Sequence, residues 1–282
     1  YTDLDLSDLF CLYCFSGQTL LSKKKEERNV NKEDMNYKML LQYDGSRYNG
    51  WQKQGNTKNT IQEKLENILN RLSENTVEVF GSGRTDAGTH AWGQVANFHM
   101  NWEGKTKELF LKINDALPED IALLSLEKVP PRFHSRLHAT AKTYVYRIWN
   151  SVIPPVFERK YVFVDKTPLD VEQMKKAASY LLGEHDFQNF SSVKKTKKST
   201  IRFVYHIEFL KKGEEIQLIF TGNGFLYNMV RILSGTLIEV GEGKRKAESI
   251  PEIFEAKSRE AAGFTAPAKG LVLAKVFYDK RW

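Results

Sequence analysis

A chain of 282 residues, 41 % hydrophobic and 27 % charged, can bury a sizeable core as one large domain or two ordinary ones, and no apolar run approaches the ~18 residues of a membrane span. Lysine plus arginine outnumber aspartate plus glutamate by 42 to 35, a net charge of +7 that points to a polyanionic partner without separating nucleic acid from an anionic surface. Cys11 and Cys14 are the only cysteines. Lacking a second Cys or His pair at ligand spacing, they argue against zinc and against reliance on disulfides, so the expectation is a cytoplasmic protein with no membrane partner and no metal.

The apolar run from Leu9 to Phe15 follows Asp3, Asp5 and Asp8 rather than a basic region, and so does not read as a secretory signal. Lys23 to Arg28 then form a solvated charge cluster, and residues 1–35 read as a leader appended to a domain that starts near Met35. Alternation of Tyr37, Met39, Leu41 and Tyr43 predicts a strand that ends at the turn Asp44-Gly45. Thr60 and Glu63 form a capping-box pattern before Ile61, Leu65, Ile68, Leu69 and Leu72, whose spacing predicts a helix to about Ser73. Strands are expected at Thr76 to Phe80 and Gln94 to Met100, a helix at Thr106 to Ala116 and a strand at Ile121 to Val129.

Pro130-Pro131 supports neither a continuing helix nor an internal strand and divides an N-terminal half, 36–130, from a C-terminal half, 131–282. The second half begins with a predicted strand at Lys142 to Trp149. A helix follows from Asp170 through Val171, Met174, Ala178 and Leu181, stopped by Gly183. Thr200 to Leu210 and Glu215 to Thr221 read as a strand pair around Lys212-Gly213. A helix is expected from Leu226 to Val240 and a last strand from Leu271 to Tyr278. The expected class is α+β, two units sharing one mostly antiparallel sheet.

Chemistry concentrates in Gly81-Ser82-Gly83-Arg84-Thr85-Asp86-Ala87-Gly88-Thr89-His90. Glycines permit positive φ and close ligand approach, while an arginine near a carboxylate opposes the rise in pKa that burial imposes. A tight turn carrying a surface ion pair has the same composition. Asp86 and His90 stand four apart, but Gly88 argues against a helix that would align them on a metal. No third ligand, P-loop, G-x-G-x-x-G or G-x-S-x-G pattern occurs. A carboxylate beside arginine in a basic chain suits cofactor-free attack at an electron-poor sugar carbon.

Several blocks in fixed order resemble the TruA-type tRNA pseudouridine synthases over residues 36–282. They are Tyr43-Asp44-Gly45, Gly50-Trp51-Gln52, Gly83 to His90 with Gln94-Val95, Phe133-His134-Ser135-Arg136, Lys142-Thr143-Tyr144-Val145-Tyr146, Asn223 to Arg231 and Ala266 to Leu271. The resemblance implies two ferredoxin-like halves joined in one mixed sheet around a central basic cleft, a homodimer gripping tRNA, and isomerisation of uridine at positions thirty-eight to forty of the anticodon stem-loop without cofactor or metal. It implies Asp86 as nucleophile, on the anomeric carbon or on carbon six of uracil. It further implies that Tyr144 stacks on the base and is a candidate for the carbon-five proton step, that Arg231 pairs with Asp86, and that Arg84 displaces the base. Phe133, His134, Arg136 and Lys142 are the further expected RNA contacts, and the lysines of the run Lys194 to Lys198 are candidate phosphate contacts. Thr85 and His90 read as loop-shaping. Two rivals remain at this stage, a non-catalytic RNA-binding protein of the same fold and a retaining glycoside or nucleoside hydrolase. The second needs a paired carboxylate, for which only Asp44 is available.

Overall fold

A computed structural model of the chain describes residues 34–279 except 74, 193–198 and 257. The leader, both cysteines and the run Lys194 to Lys198 lie outside the described residues. Ten strands form one mixed, mostly antiparallel sheet: β1 (Met35–Tyr43), β2 (Val79–Gly81), β3 (His90–Met100), β4 (Ile121–Lys128), β5 (Ala141–Asn150), β6 (Phe163–Asp165), β7 (Gly183–Asp186), β8 (Ile201–Lys212), β9 (Glu215–Gly222) and β10 (Leu271–Phe277). The main path runs β4-β1-β3-β10-β5-β9-β8-β7, with β2 against β3 and β6 against β5. Among the described residues the α-helices are α1 (Ile61–Leu72), α2 (Thr106–Ala116), α3 (Val171–Ser179), α4 (Met229–Gly241) and α5 (Ile250–Glu255).

Local chemistry accounts for most of these elements. In β1 the alternate residues Tyr37, Met39, Leu41 and Tyr43 are buried, and Thr60 caps α1 by accepting from the Glu63 amide at 3.3 Å. Ile61, Leu65, Ile68 and Leu69 are the buried face of α1, while α4 is apolar almost all round and almost wholly buried. One hydrophobic cluster runs through both halves. It joins Met39, Leu65 and Phe98 to Tyr146, Phe220, Leu233 and Leu237.

The junction between the halves is β10, which pairs parallel with β3 (Val272 opposite His90, Leu273 opposite Ala91) and antiparallel with β5. β3 therefore starts at His90, four residues earlier than its alternation suggests. Gly93 breaks the local strand pattern because a Cβ there would sit 2.5 Å from the Ala274 carbonyl oxygen of β10.

Two helix boundaries also differ from expectation. α3 ends at Ser179, where Tyr180 and Leu181 tighten onto the Ala177 and Ala178 carbonyls, and Gly183 at φ 93° opens β7 instead of capping the helix. α4 begins at Met229 rather than Leu226, because Asn228 takes a left-handed conformation at φ 61°. Asparagine tolerates that region better than other non-glycine residues. The shift places Arg231 in the first turn of α4.

Candidate active site

The loop between β2 and β3 is pinned along its length. The Ser82 amide bonds to the Val95 carbonyl at 2.7 Å, Gln94 Nε2 donates to the Gly83 carbonyl at 3.0 Å, and Lys142 Nζ donates to the Ser82 carbonyl at 2.7 Å. Thr85 is buried with its hydroxyl 2.8 Å from that of Tyr43, and its carbonyl accepts from the Trp51 amide at 3.0 Å. Gly50 allows this approach. It has φ 90°, and a Cβ on it would meet the Thr85 oxygen at 2.6 Å. Of Gly81, Gly83 and Gly88 in the loop itself, only Gly88 has positive φ.

His90 is buried against Tyr161 and accepts at Nδ1 from the Gly45 amide at 3.1 Å. Burial holds its imidazole below the usual pKa even though Asp44 Oδ1 lies 3.2 Å away. Asp44 serves the turn, accepting from the Ser46 amide at 2.9 Å and from the Tyr161 hydroxyl at 3.0 Å. Neither residue lines the cavity that holds Asp86.

That cavity measures about 370 Å³, and its walls include Arg84, Asp86, Arg136, Lys142, Tyr144 and Phe225. Asp86 Oδ2 lies 3.3 Å from Arg231 Nη1, the two side chains being 23 % and 17 % exposed. Arg231 is itself held by the Ala266 carbonyl at Nε, 2.7 Å, and by Asn228 Oδ1 at Nη1, 2.7 Å. Its direction toward Asp86 is thus set by α4 and by the segment entering β10.

Burial and Arg231 act on Asp86 in opposite directions. Burial is the larger influence and raises the carboxyl above its ordinary pKa, with Arg231 pulling it partly back. Tyr144, 8 % exposed on β5, packs edge-on against Phe225 with ring centroids 5.3 Å apart, and burial raises its phenol. Lys142 is pushed down to about 8 by burial and then by the charges of Arg136 and Arg202.

The remaining expected contacts divide. Arg84 is exposed and lines the cavity, yet its Nε donates to Gln52 Oε1 at 3.2 Å while Asp86 pairs with Arg231. Arg136 and Lys142 also line the cavity. Phe133 does not reach it, being packed against Tyr278 at 5.2 Å with Lys38 Nζ 5.8 Å from its ring centroid. His134 turns away as well. Its Nδ1 accepts from the Arg136 amide at 3.1 Å, and its ring packs on Phe80 in a neighbouring cavity of about 460 Å³. The motif block holding Phe133 and His134 therefore contributes structure through two of its members and cavity wall through Arg136.

Sequence reasoning passed over Asn228 and Phe225, although both stand in the block Asn223 to Arg231. Their signal was an asparagine at a helix start and an aromatic beside two glycines. The resulting constellation is a half-buried carboxylate with one fixed cationic partner, a neighbouring phenol and three further cations at the rim. It suits attack by a carboxylate on a sugar or ring carbon within an anionic polymer.

Comparison with known sequences gives a consistent picture. The sequence profile described as tRNA pseudouridine synthase matches residues 39–136 and 177–279, spans that contain Asp86 and Arg231 and leave Lys142 and Tyr144 between them. The chain is 45 % identical over 241 residues to a Bacillus cereus protein named tRNA pseudouridine synthase A 2, covering 86 % of this chain and 98 % of that one. It is 44 % identical over 243 residues to a Clostridium perfringens protein of the same name, covering 86 % and 99 %. A Bacillus protein named tRNA pseudouridine synthase A is 45 % identical over 243 residues, with the same coverage.

Proposed function

This chain belongs to the tRNA pseudouridine synthase family, isomerases acting on tRNA, and from that premise we propose that Asp86 is its nucleophile and that it isomerises uridines thirty-eight to forty of the anticodon stem-loop. What supports Asp86 is its place as the one carboxylate among the described residues that line a cavity also carrying Arg84, Arg136 and Lys142, and its pairing with Arg231 at 3.3 Å. One carboxylate oxygen attacks either the anomeric carbon or carbon six of the uracil. In both routes the bond from the sugar to nitrogen breaks with its electron pair leaving on the base. The base rotates, carbon five bonds to the anomeric carbon, the bond to the Asp86 oxygen breaks with its electron pair returning to the carboxylate, and carbon five gives up its proton. Substrate and product are isomers, so the sequence of bonds needs no oxidant or reductant.

Each wall residue has work in that sequence. Tyr144 offers an aromatic face to the base, and stacking of this kind contributes about 1–3 kcal/mol per base. Extrusion of a paired base costs a few kcal/mol, and Arg84 enters the space it leaves. Arg136 and Lys142 receive phosphates or the charge on the departing base. Reading several neighbouring positions fits recognition of RNA by shape, and a homodimer in the cytoplasm gripping one tRNA is what the family resemblance implies. Among the described residues no helix is long and apolar enough to cross a membrane.

The direct test is wild-type protein on an unmodified transcript labelled with hydrogen isotope at carbon five of uridine. Release of that hydrogen from the anticodon stem-loop is the expected result. Intact RNA binding without release would make the chain a binder and overturn the assignment.

A second expectation concerns Arg231→Leu. Arg231 supplies both influences that lower the Asp86 pKa, while burial raises it. Removing the arginine moves the carboxyl further up. The nucleophile is the ionised form, so the acidic limb of the rate profile shifts to higher pH, and turnover at neutral pH falls about ten- to a hundredfold, the scale of one hydrogen bond to a charged group. A profile superimposable on wild type would refute the pairing.

A further inference from the structure

We propose that Gln52 and Gln62 form a positioning chain that aims Arg84 into the RNA as the target base leaves. The inference rests on the assignment of the Asp86 cavity to pseudouridine formation. Arg84 Nε donates to Gln52 Oε1 at 3.2 Å, and Gln52 Nε2 donates to Gln62 Oε1 at 2.8 Å. Gln62 Nε2 in turn donates to Glu66 Oε1 at 2.9 Å and to the Val79 carbonyl at 3.1 Å. Glu66 Oε1 also accepts from the Val79 amide at 3.2 Å, and its Oε2 pairs with Lys53 Nζ at 3.2 Å.

The polarity of this chain follows from its two ends. A carboxylate such as Glu66 only accepts and a guanidinium such as Arg84 only donates, so each amide between them has one orientation that satisfies both neighbours. Gln62 must turn its NH₂ toward Glu66 and Val79, which leaves its oxygen for Gln52 and for the Lys53 amide at 2.9 Å. Gln52 must then present its own oxygen to Arg84. Gln62 and Glu66 are 6 % and 5 % exposed and sit four residues apart on α1, so the anchor is a rigid helix rather than a loop.

Nothing in the Gly81 to His90 loop itself serves Arg84 in this way. The side chain is exposed and lines both the Asp86 cavity and the neighbouring one that Gln52 and Gln62 help to form. Held only at Nε, the guanidinium keeps both Nη groups for RNA. An untethered arginine would have to lose its rotamer freedom at the moment of insertion, which slows that step without weakening the initial binding.

The test uses an anticodon stem-loop carrying 2-aminopurine beside the target uridine, whose fluorescence reports extrusion, together with single-turnover isomerisation and the RNA dissociation constant. Gln52→Met and Gln62→Met should each slow extrusion and isomerisation about tenfold while the dissociation constant changes less than twofold. In an Arg84→Ala background neither should have a further effect, since the chain acts only through Arg84. Full additivity with Arg84→Ala, or extrusion at the wild-type rate in Gln52→Met, overturns the proposal. Gln52 is half-buried at the cavity rim, so its variant keeps the test available should loss of the buried Gln62 amide unfold the protein. A purely structural defect would raise the dissociation constant along with slowing turnover. Wild-type protein that neither extrudes nor isomerises would instead overturn the function assignment, and this proposal with it.

Discussion

Asp86→Asn abolishes formation of pseudouridine in an unmodified tRNA transcript, by at least about four orders of magnitude, while RNA binding is retained. Asparagine keeps the shape of the side chain and its acceptor toward Arg231, so the loop pinned by Thr85, Gln94 and Lys142 has no reason to move. What is lost is the negative charge and the oxygen proposed to attack. Asp44 lies outside the cavity and is committed to the turn at Ser46 and Tyr161, and among the described residues the cavity wall carries no second carboxylate to replace Asp86. The check is carbon-five hydrogen release and filter binding on the same preparations. Near-normal release by the variant would remove Asp86 from the chemistry altogether.

Tyr144→Phe separates stacking from proton transfer. Burial raises the phenol well above its ordinary pKa, with Tyr43 and Asp86 adding to the effect, so the resting hydroxyl is protonated. It takes the carbon-five proton only by passing its own onward, to solvent or to a carboxylate. The phenylalanine variant keeps the ring and its edge-on contact with Phe225. RNA affinity is therefore expected within a few-fold of wild type, while hydrogen release slows about 10²–10⁴-fold, the usual contribution of a positioned proton carrier. Stacking without proton transfer would show the opposite pattern, weakened binding of a non-aromatic variant and unchanged release by phenylalanine.

Much of the local architecture is legible in the chain. The amphipathic spacing of Ile61, Leu65, Ile68 and Leu69 behind a threonine cap specifies α1, and α2 occupies the predicted Thr106 to Ala116. The short strands β6 and β7 were not foreseen, because three or four residues carry too little alternation to register. The ends of α3 and α4 were misplaced for a different reason. They depend on the φ values of Gly183 and Asn228, which the spacing of apolar residues does not report.

The site divides along the same line. Motif order alone singled out Asp86, Arg84, Tyr144 and Arg231 and also included Phe133 and His134, whose side chains face other packing. A block of adjacent residues in an extended or turning segment sends its side chains in different directions, so membership of a motif does not place every member in the cavity. Gln62 illustrates the converse. It belongs to none of the matching blocks, yet it is 6 % exposed and bonded to Gln52, Glu66 and Val79.

By itself the sequence determined the order of the longer strands and helices and the α+β class, and it pointed to the Gly81 to His90 loop as the candidate site, because periodicity, caps and short motifs act over a few residues. The family resemblance already implied Arg231 as the partner of Asp86, and only the tertiary structure shows what brings the two together. Arg84 is two residues away and bonds to Gln52, whereas Arg231, 145 residues distant, is carried to 3.3 Å by the start of α4 and its hold on Ala266. Only the tertiary structure, too, showed that burial outweighs that arginine at the carboxylate. Desolvation depends on everything packed around a group, which is a property of the fold and not of its neighbours in the chain.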